Sequence, residues 1–280
     1  MDYKVIIVGA GPAGIFAAMT LADFGIKGIL LLEQGKDLSK RERQNPEDRL
    51  CGWGGAGAFS DGKLTLSTEV GGVLKDFMEE GPLYELLKDT DGIYAANGAP
   101  DRIFGKSSPQ LEELADRARM ADLELLPNRI RHIGTDNCQA VLESFKKSLV
   151  GRVDIHTESE VKELIADHGS IQGVKLADGR SIPSNFVIVA PGRSGARWMK
   201  KQAESLGLTT RATSVDIGVR VELSAPVLKE ITDTAYESKL IHYSKTFDDK
   251  VRTFCMNPYG EVVTEANSGI VTVNGHSYAR

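Results

Sequence analysis

The first 35 residues constrain this chain most. They read Tyr3-Lys-Val-Ile-Ile-Val-Gly9-Ala-Gly11-Pro-Ala-Gly14, then an apolar helical stretch, then Leu30-Leu-Leu-Glu33. This is a buried strand, a three-glycine turn, a helix, and a second strand ending in a carboxylate. Gly9 allows the tight turn out of the strand. Gly11 lets a pyrophosphate approach the backbone, and Gly14 lets the helix pack close to the sheet. The helix starting near Pro12 and Ala13 points unpaired N–H groups and its positive dipole end at such a phosphate. Glu33 lies where an acid accepts hydrogen bonds from a ribose 2′-hydroxyl, with Gln34 beside it. A glycine triplet alone is a weak signal. Its placement between a strand and a helix, with a second strand and a terminal acid, predicts a bound dinucleotide. Glu33 also disfavours a 2′-phosphorylated cofactor, because two negative groups would meet.

Val5 to Ala22 is an uncharged run of 18 residues, the length of a membrane span. Gly9, Gly11, Pro12 and Gly14 interrupt it, and no basic segment precedes it, so neither a spanning helix nor a signal peptide is expected. The net charge of −5 comes without a basic stripe, which argues against nucleic acid as a partner. Cys51, Cys138 and Cys255 are scattered and odd in number. They predict free thiols and a cytoplasmic protein, and neither a CxxC redox pair nor a metal site is expected.

Residues 151 to 192 carry a second coherent pattern. Val153 to His156 reads as a short strand. Glu160 to Ala166, Ser170 to Leu176 and the stretch through Ile182 alternate apolar and polar residues, separated by turns at 167–169 and 178–179. This predicts an antiparallel meander. It leads into the apolar strand Phe186-Val-Ile-Val-Ala190-Pro191-Gly192, suited to the middle of a parallel sheet. The opening turn, the meander and this last strand together resemble the FAD-binding domain of two-dinucleotide-binding-fold flavoproteins. That resemblance implies FAD as the cofactor. It implies Val161, Ala190, Pro191 and Gly192 as residues beside it.

Between these patterns lies Cys51-Gly-Trp-Gly54-Gly55-Ala56-Gly57-Ala-Phe-Ser60-Asp-Gly62-Lys63-Leu64. Its glycine density suits a loop whose backbone amides approach a ligand rather than a helix or strand. Gly54, Gly55, Ala56, Gly57 and Ser60 are candidate cofactor contacts. A cationic Lys63 would stabilise a reduced, anionic flavin ring. The spacing from Gly57 to Gly62-Lys63 approaches a phosphate-binding P-loop, but Leu64 replaces the hydroxyl residue that would hold magnesium, and no apolar strand precedes it. Arg41 and Arg43 follow the second strand, where similar flavoproteins place an arginine on the FAD phosphates. Cys51 reads as a small buried residue beside the loop.

The loop from Trp53 to Leu64 and the segment Arg131-His-Ile-Gly-Thr-Asp136 resemble FAD-dependent dehydrogenases related to the HI0933-like flavoproteins. The resemblance runs over essentially the whole chain and implies a fold and a cofactor, not a substrate. His132 is a candidate proton donor or acceptor. The expected fold class is α/β: a Rossmann-type FAD-binding domain with a β-meander crossover, plus a second, mostly β (α+β) substrate domain. The expected boundaries are 1–70 and 131–205 for the first, 71–130 for a helical excursion, and 206–280 for the second. Within the excursion, a helix near Val73 to Leu87 broken at Gly81-Pro82 is expected, and another over Pro109 to Met120 capped by Ser108. Asp136 is expected to cap a helix over Asn137 to Leu149. Ala196 to Leu206 should be helical, and Val215 to Glu222 a half-buried strand. Further strands are expected at 241–243, 251–256 and 270–273.

The family resemblance also implies a later strand with a Gly-Asp motif that binds the ribitol. No such motif follows Gly192. The chain is therefore expected to be a fragment, to be completed by a partner, or to have a reduced site. The leading function is an FAD-dependent oxidoreductase with a small-molecule substrate and a separate electron donor or acceptor, and self-association as a homo-oligomer stays open. The alternative is a nucleotide-binding module or a catalytically incompetent flavoprotein fragment. A reductase of lipid or polyprenyl substrates is a third reading.

Overall fold

A computed structural model describes residues 3–126, 128–211, 215–267 and 270–277. The chain begins with β1 (Val5–Val8), α1 (Pro12–Asp23), β2 (Ile29–Leu32) and α2 (Pro46–Leu50). Next come β3 (Lys63–Thr65), α3 (Glu80–Ala96), β4 (Ile103–Phe104), α4 (Pro109–Met120), β5 (Glu124–Leu126) and β6 (Ile130–His132). Then follow α5 (Thr135–Leu149), β7 (Asp154–His156), β8 (Val161–Asp167), β9 (Ser170–Leu176), β10 (Ser181–Pro183), β11 (Phe186–Val189) and α6 (Ala196–Ser205). The last elements are α7 (Ala225–Ala235), β12 (Lys239–Tyr243), β13 (Lys250–Arg252), β14 (Glu261–Asn267) and β15 (Ile270–His276). Two compact units form: 1–59, 142–219 and 264–272 make one, and 60–141, 220–263 and 273–280 the other. The segments 71–130 and 206–280 both contribute to the second unit.

The first unit is built on a parallel sheet in the order β11-β1-β2-β7. Val5 pairs with both Ile29 and Phe186, and the register runs on to Val8, Leu32 and Val189. β1 and β2 are apolar throughout and fully buried, because both faces of the sheet are covered. On one face, Ile6, Val8, Leu30 and Leu32 pack against Val161, Leu164, Val174 and Leu176 of the antiparallel meander β8-β9-β10. On helix α1, Ile15 and Ala18 are buried, and Phe16 meets Phe145 of α5 edge-on, with ring centres 5.7 Å apart. The sheet order reverses at β1, between β2 and β11. Open α/β sheets bind ligands at such a switch point, off the carboxyl ends of the strands. The α/β, Rossmann-type class with a meander is the fold observed.

The second unit holds two three-stranded sheets, β3-β6-β4 and β13-β12-β5. Ser108 caps α4 as its sequence predicts, its hydroxyl accepting the Leu111 N–H at 3.2 Å.

Several local expectations give way. The helix expected from Val73 is a short 3₁₀ turn at Leu74–Asp76, with Val73, Leu74 and Phe77 exposed. Gly81 and Pro82 do not break a helix but lie in the first turn of α3, where the missing proline N–H has no helical acceptor to lose. Helix α5 starts at Thr135, so Asp136 lies inside its first turn rather than before it. Val215 to Glu222 forms no strand: Val215, Ile217, Val219 and Val221 are all largely exposed. Alternation marks a strand only where a neighbour offers a ladder, and none is paired to this segment among the described residues. The sequence at 251–256 is strand only to Arg252. Helix α7 and strand β14 were not expected. No helix among the described residues is long and apolar enough to cross a membrane.

Candidate functional site

The carboxyl ends of β1, β2 and β11 open onto a cavity of about 500 Å³ in the first unit. Its floor is the glycine turn, and the three glycines there do different work. A Cβ on Gly9 would lie 2.2 Å from the Ala190 carbonyl oxygen, and Gly9 has φ +103°. A Cβ on Gly14 would lie 1.9 Å from the Gly9 carbonyl oxygen. These two are required by backbone packing. A Cβ on Gly11 would meet nothing within 4 Å, so Gly11 is the place where the turn faces open space. Gly11 also stands at the start of α1, whose first-turn N–H groups have no acceptor within the helix. This is a cradle for an anionic group approaching backbone.

Glu33 is buried at the edge of the cavity. Its Oε2 accepts the Ala10 N–H at 2.8 Å. Its Oε1 accepts the N–H groups of Gly35 at 2.9 Å and Gly52 at 3.0 Å. The carboxylate thus ties the end of β2 to the glycine turn and to the later loop. A carboxylate offers about four acceptor positions, so Oε2 can still receive a ribose hydroxyl. The Cys51 thiol lies 3.6 Å from Oε1; burial, and then Glu33, push it up to about 11. It is a protonated, unreactive thiol at neutral pH.

Gly55, Ala56 and Gly57 line the cavity, and a Cβ on Gly55 would stand 3.1 Å from the Gly11 Cα. This loop is held from behind. Arg41 is buried, and its guanidinium donates to the carbonyls of Asp48, Trp53 and Gly55. Burial lowers its pKa to about 10, still well above neutrality. The Trp53 indole donates to the Leu142 carbonyl at 3.1 Å, and a Cβ on Gly54 would strike the Leu142 side chain. Gly54 therefore seats the loop and does not face the cavity.

Of the residues proposed from sequence, Gly9, Gly11, Pro12, Glu33, Gln34, Gly55, Ala56, Gly57, Val161, Ala190, Pro191 and Gly192 line this one cavity. Ala13, Gly14 and Gly54 do not line it: Gly14 and Gly54 are buried in backbone and side-chain packing, and Ala13 is exposed on α1. Arg41 and Arg43 do not line it: Arg41 braces the loop, and the Arg43 carbonyl accepts the Arg49 Nε–H at 2.9 Å. The cations that do line it, Arg193 and Arg197, were not singled out. Arg193 follows Gly192 directly and Arg197 lies in the first turn of α6, so their nearness to the end of β11 was the available signal. Trp198 also lines it, its indole donating to the Lys162 carbonyl at 2.9 Å.

Ser60, Lys63 and His132 belong to the second unit. The Lys63 ammonium is buried, 2.9 Å from Asp61 and 2.6 Å from Glu237, and it donates to the Met256 carbonyl at 2.7 Å. All three of its N–H donors are thereby engaged by protein. His132 is buried, with Nε2 3.1 Å from both the Tyr236 hydroxyl and the Ser277 hydroxyl. Burial holds its pKa below the usual histidine value, so the neutral ring is the folded form. Among the described residues no group of three or more His, Cys, Asp or Glu side chains could hold a metal ion.

Comparison with known proteins bears on this geometry. Residues 2–49 match the family described as an FAD binding domain, a stretch that contains the Gly9–Gly14 turn and Glu33. FAD is thus the cofactor of the matching family, and the open approach at Gly11 fits it. An uncharacterized protein of Clostridium beijerinckii is 30% identical over 300 residues, covering 98% of this chain and 48% of its own length. The tRNA uridine 5-carboxymethylaminomethyl modification enzyme MnmG of Treponema denticola is 27% identical over 195 residues, 68% of this chain and 26% of that enzyme. The chain therefore spans about half or less of the curated relatives it matches. Among solved structures, the glycine oxidase of Geobacillus kaustophilus aligns with a TM-score of 0.44 at 16% identity, over 74% of this chain and 59% of that one.

Proposed function

We propose that this chain is the FAD-binding part of an FAD-dependent oxidoreductase, a dehydrogenase whose substrate is a small molecule. The observation that carries this reading is the coincidence of the Gly11 opening, the start of α1 and the carboxyl ends of β1, β2 and β11 on one cavity. When bound there, FAD supplies transfer of hydride or electrons. The chain's own part is binding and orientation. Gly11 and the first turn of α1 receive the pyrophosphate through backbone N–H groups, and Arg197, with Arg193 paired to Glu265 at 3.1 Å, supplies guanidinium donors on the cavity wall. Glu33 Oε2 accepts a ribose hydroxyl while the remaining oxygen keeps the loops in place. Gly55 to Gly57 lie against Gly11 and Pro12 at the start of α1 and complete that wall of the cavity.

The finer assignment, to the HI0933-like flavoproteins, is supported by the Trp53–Leu64 and Arg131–Asp136 segments. Three free cysteines support a reducing, cytoplasmic compartment. A separate electron donor or acceptor, and assembly into a homo-oligomer, belong to the same proposal.

A thermal-shift panel with FAD, AMP and NAD tests this reading against a plain nucleotide-binding module. FAD is expected to raise the melting temperature most, because only FAD fills the cavity from ribose to loop. A shift with AMP equal to that with FAD would favour the module instead.

A further inference from the structure

The second unit contains its own cavity, of about 460 Å³, remote in sequence from the glycine turn and used by nothing described so far. Such a volume lies in the range of small-molecule sites. Three features of its wall point to one ligand chemistry.

The first is Arg220, the cation on this wall. Its Nη1 donates to the Cys255 carbonyl at 2.7 Å and its Nη2 to Asn274 Oδ1 at 3.3 Å. Two bonds fix the plane of the guanidinium. Three of its five N–H donors are left over, and both partners are neutral oxygens rather than carboxylates. The second is Asn257. Its Nδ2 donates to the same Cys255 carbonyl at 3.4 Å, and its Oδ1 is buried without a hydrogen-bond partner. Sharing one acceptor holds the guanidinium and the amide side by side. The amide is also clamped: a Cβ on Gly275 would lie 2.2 Å from Asn257 Nδ2, and one on Gly260 would lie 2.9 Å from Asn257 Cβ. Both glycines give room for one placement of Asn257. A buried acceptor without a partner costs about 1–3 kcal/mol, so a ligand that donates to it is favoured. The third feature is the remainder of the wall. Glu222 and Glu261 bring negative charge, and Leu223, Leu228 and Val262 bring apolar surface.

An anion alone would meet two carboxylates, and a cation alone would meet Arg220. We infer that this cavity binds a zwitterionic α-amino acid with an apolar side chain. The carboxylate pairs with Arg220. The neighbouring ammonium donates to Asn257 Oδ1 and is balanced by Glu222 and Glu261. The side chain rests on Leu223, Leu228 and Val262. The inference goes beyond the flavin reading and does not depend on it, since the cavity is formed within the second unit.

Calorimetric titration of the whole chain with leucine, 4-methylpentanoate and 3-methylbutylamine tests it. Leucine is expected to bind at least about tenfold more tightly than either singly charged analogue, as a site holding both partners requires. Arg220→Gln should bring leucine and the amine to equal affinity, and Asn257→Ser should weaken leucine about tenfold. Melting temperature and FAD uptake on the same samples report folding and the first unit separately. Uptake of FAD with no leucine binding, or leucine binding no better than its analogues, overturns the inference and leaves the flavin reading standing. Leucine binding without FAD uptake does the reverse.

Discussion

At Gly11 and Gly14 the same substitution should have opposite consequences. Gly11→Ala puts a Cβ into open space at φ −75°, where alanine is unstrained, so the melting temperature should hold or rise slightly. FAD affinity should fall about tenfold or more, roughly 1.4 kcal/mol, because that space is the cofactor's approach. Gly14→Ala forces a Cβ to 1.9 Å from a backbone oxygen and should destabilise by about 3 kcal/mol or more, read by urea unfolding. Glu33→Gln replaces an acceptor of three backbone N–H groups with an amide that can repel one of them. It should lower stability by about 2 kcal/mol, since a buried, charge-assisted set is disturbed. His132 sets a pH dependence. Its folded pKa is depressed, so its contribution is complete above the unfolded value of about 6.5 and is lost as pH falls through the folded value. Thermal stability should therefore drop on acidification below about pH 6.5, and His132→Gln should flatten that limb. An unchanged limb in the variant would assign the effect to another group.

Among the elements, those whose burial is fixed by nearby chain were the legible ones. β1, α1, β2 and the meander follow from apolar runs, paired turns and glycine spacing, because their partners lie within the same pattern. β11 follows as a strand, but it is the edge strand of the parallel sheet, with Phe186 exposed, and not a middle one as its apolar run suggested. The floor of the cavity was legible for the same reason: Gly9, Gly11, Glu33 and Gly192 sit at strand ends. Arg41 misled because charge and position are visible in a sequence, while the direction of a long side chain is not. It turns inward to the Asp48, Trp53 and Gly55 carbonyls, whose free lone pairs only the folded loop brings together. Lys63 and His132 were likewise visible as chemistry but not as neighbours of Glu237, Tyr236 and Ser277, more than a hundred residues away. Val215 to Glu222 shows the limit of periodicity, since alternation specifies a face and not a ladder. Amide hydrogen exchange should be fast at residues 215–223 and slow across β1 and β2. Protection of 215–223 as strong as that of β1 would contradict this assignment.

For the whole molecule, the central claim is that the first unit seats FAD by backbone approach at Gly11. Calorimetric titration of FAD into the chain and into its Gly11→Val variant tests this most directly. Valine adds bulk into the open space while the backbone keeps an allowed conformation. The account predicts one FAD per wild-type chain at micromolar affinity or better, about −8 kcal/mol, and at least a hundredfold loss in a variant that melts within a few degrees of wild type. Equal FAD affinity in the two proteins, or no uptake by the folded wild-type chain, would contradict it.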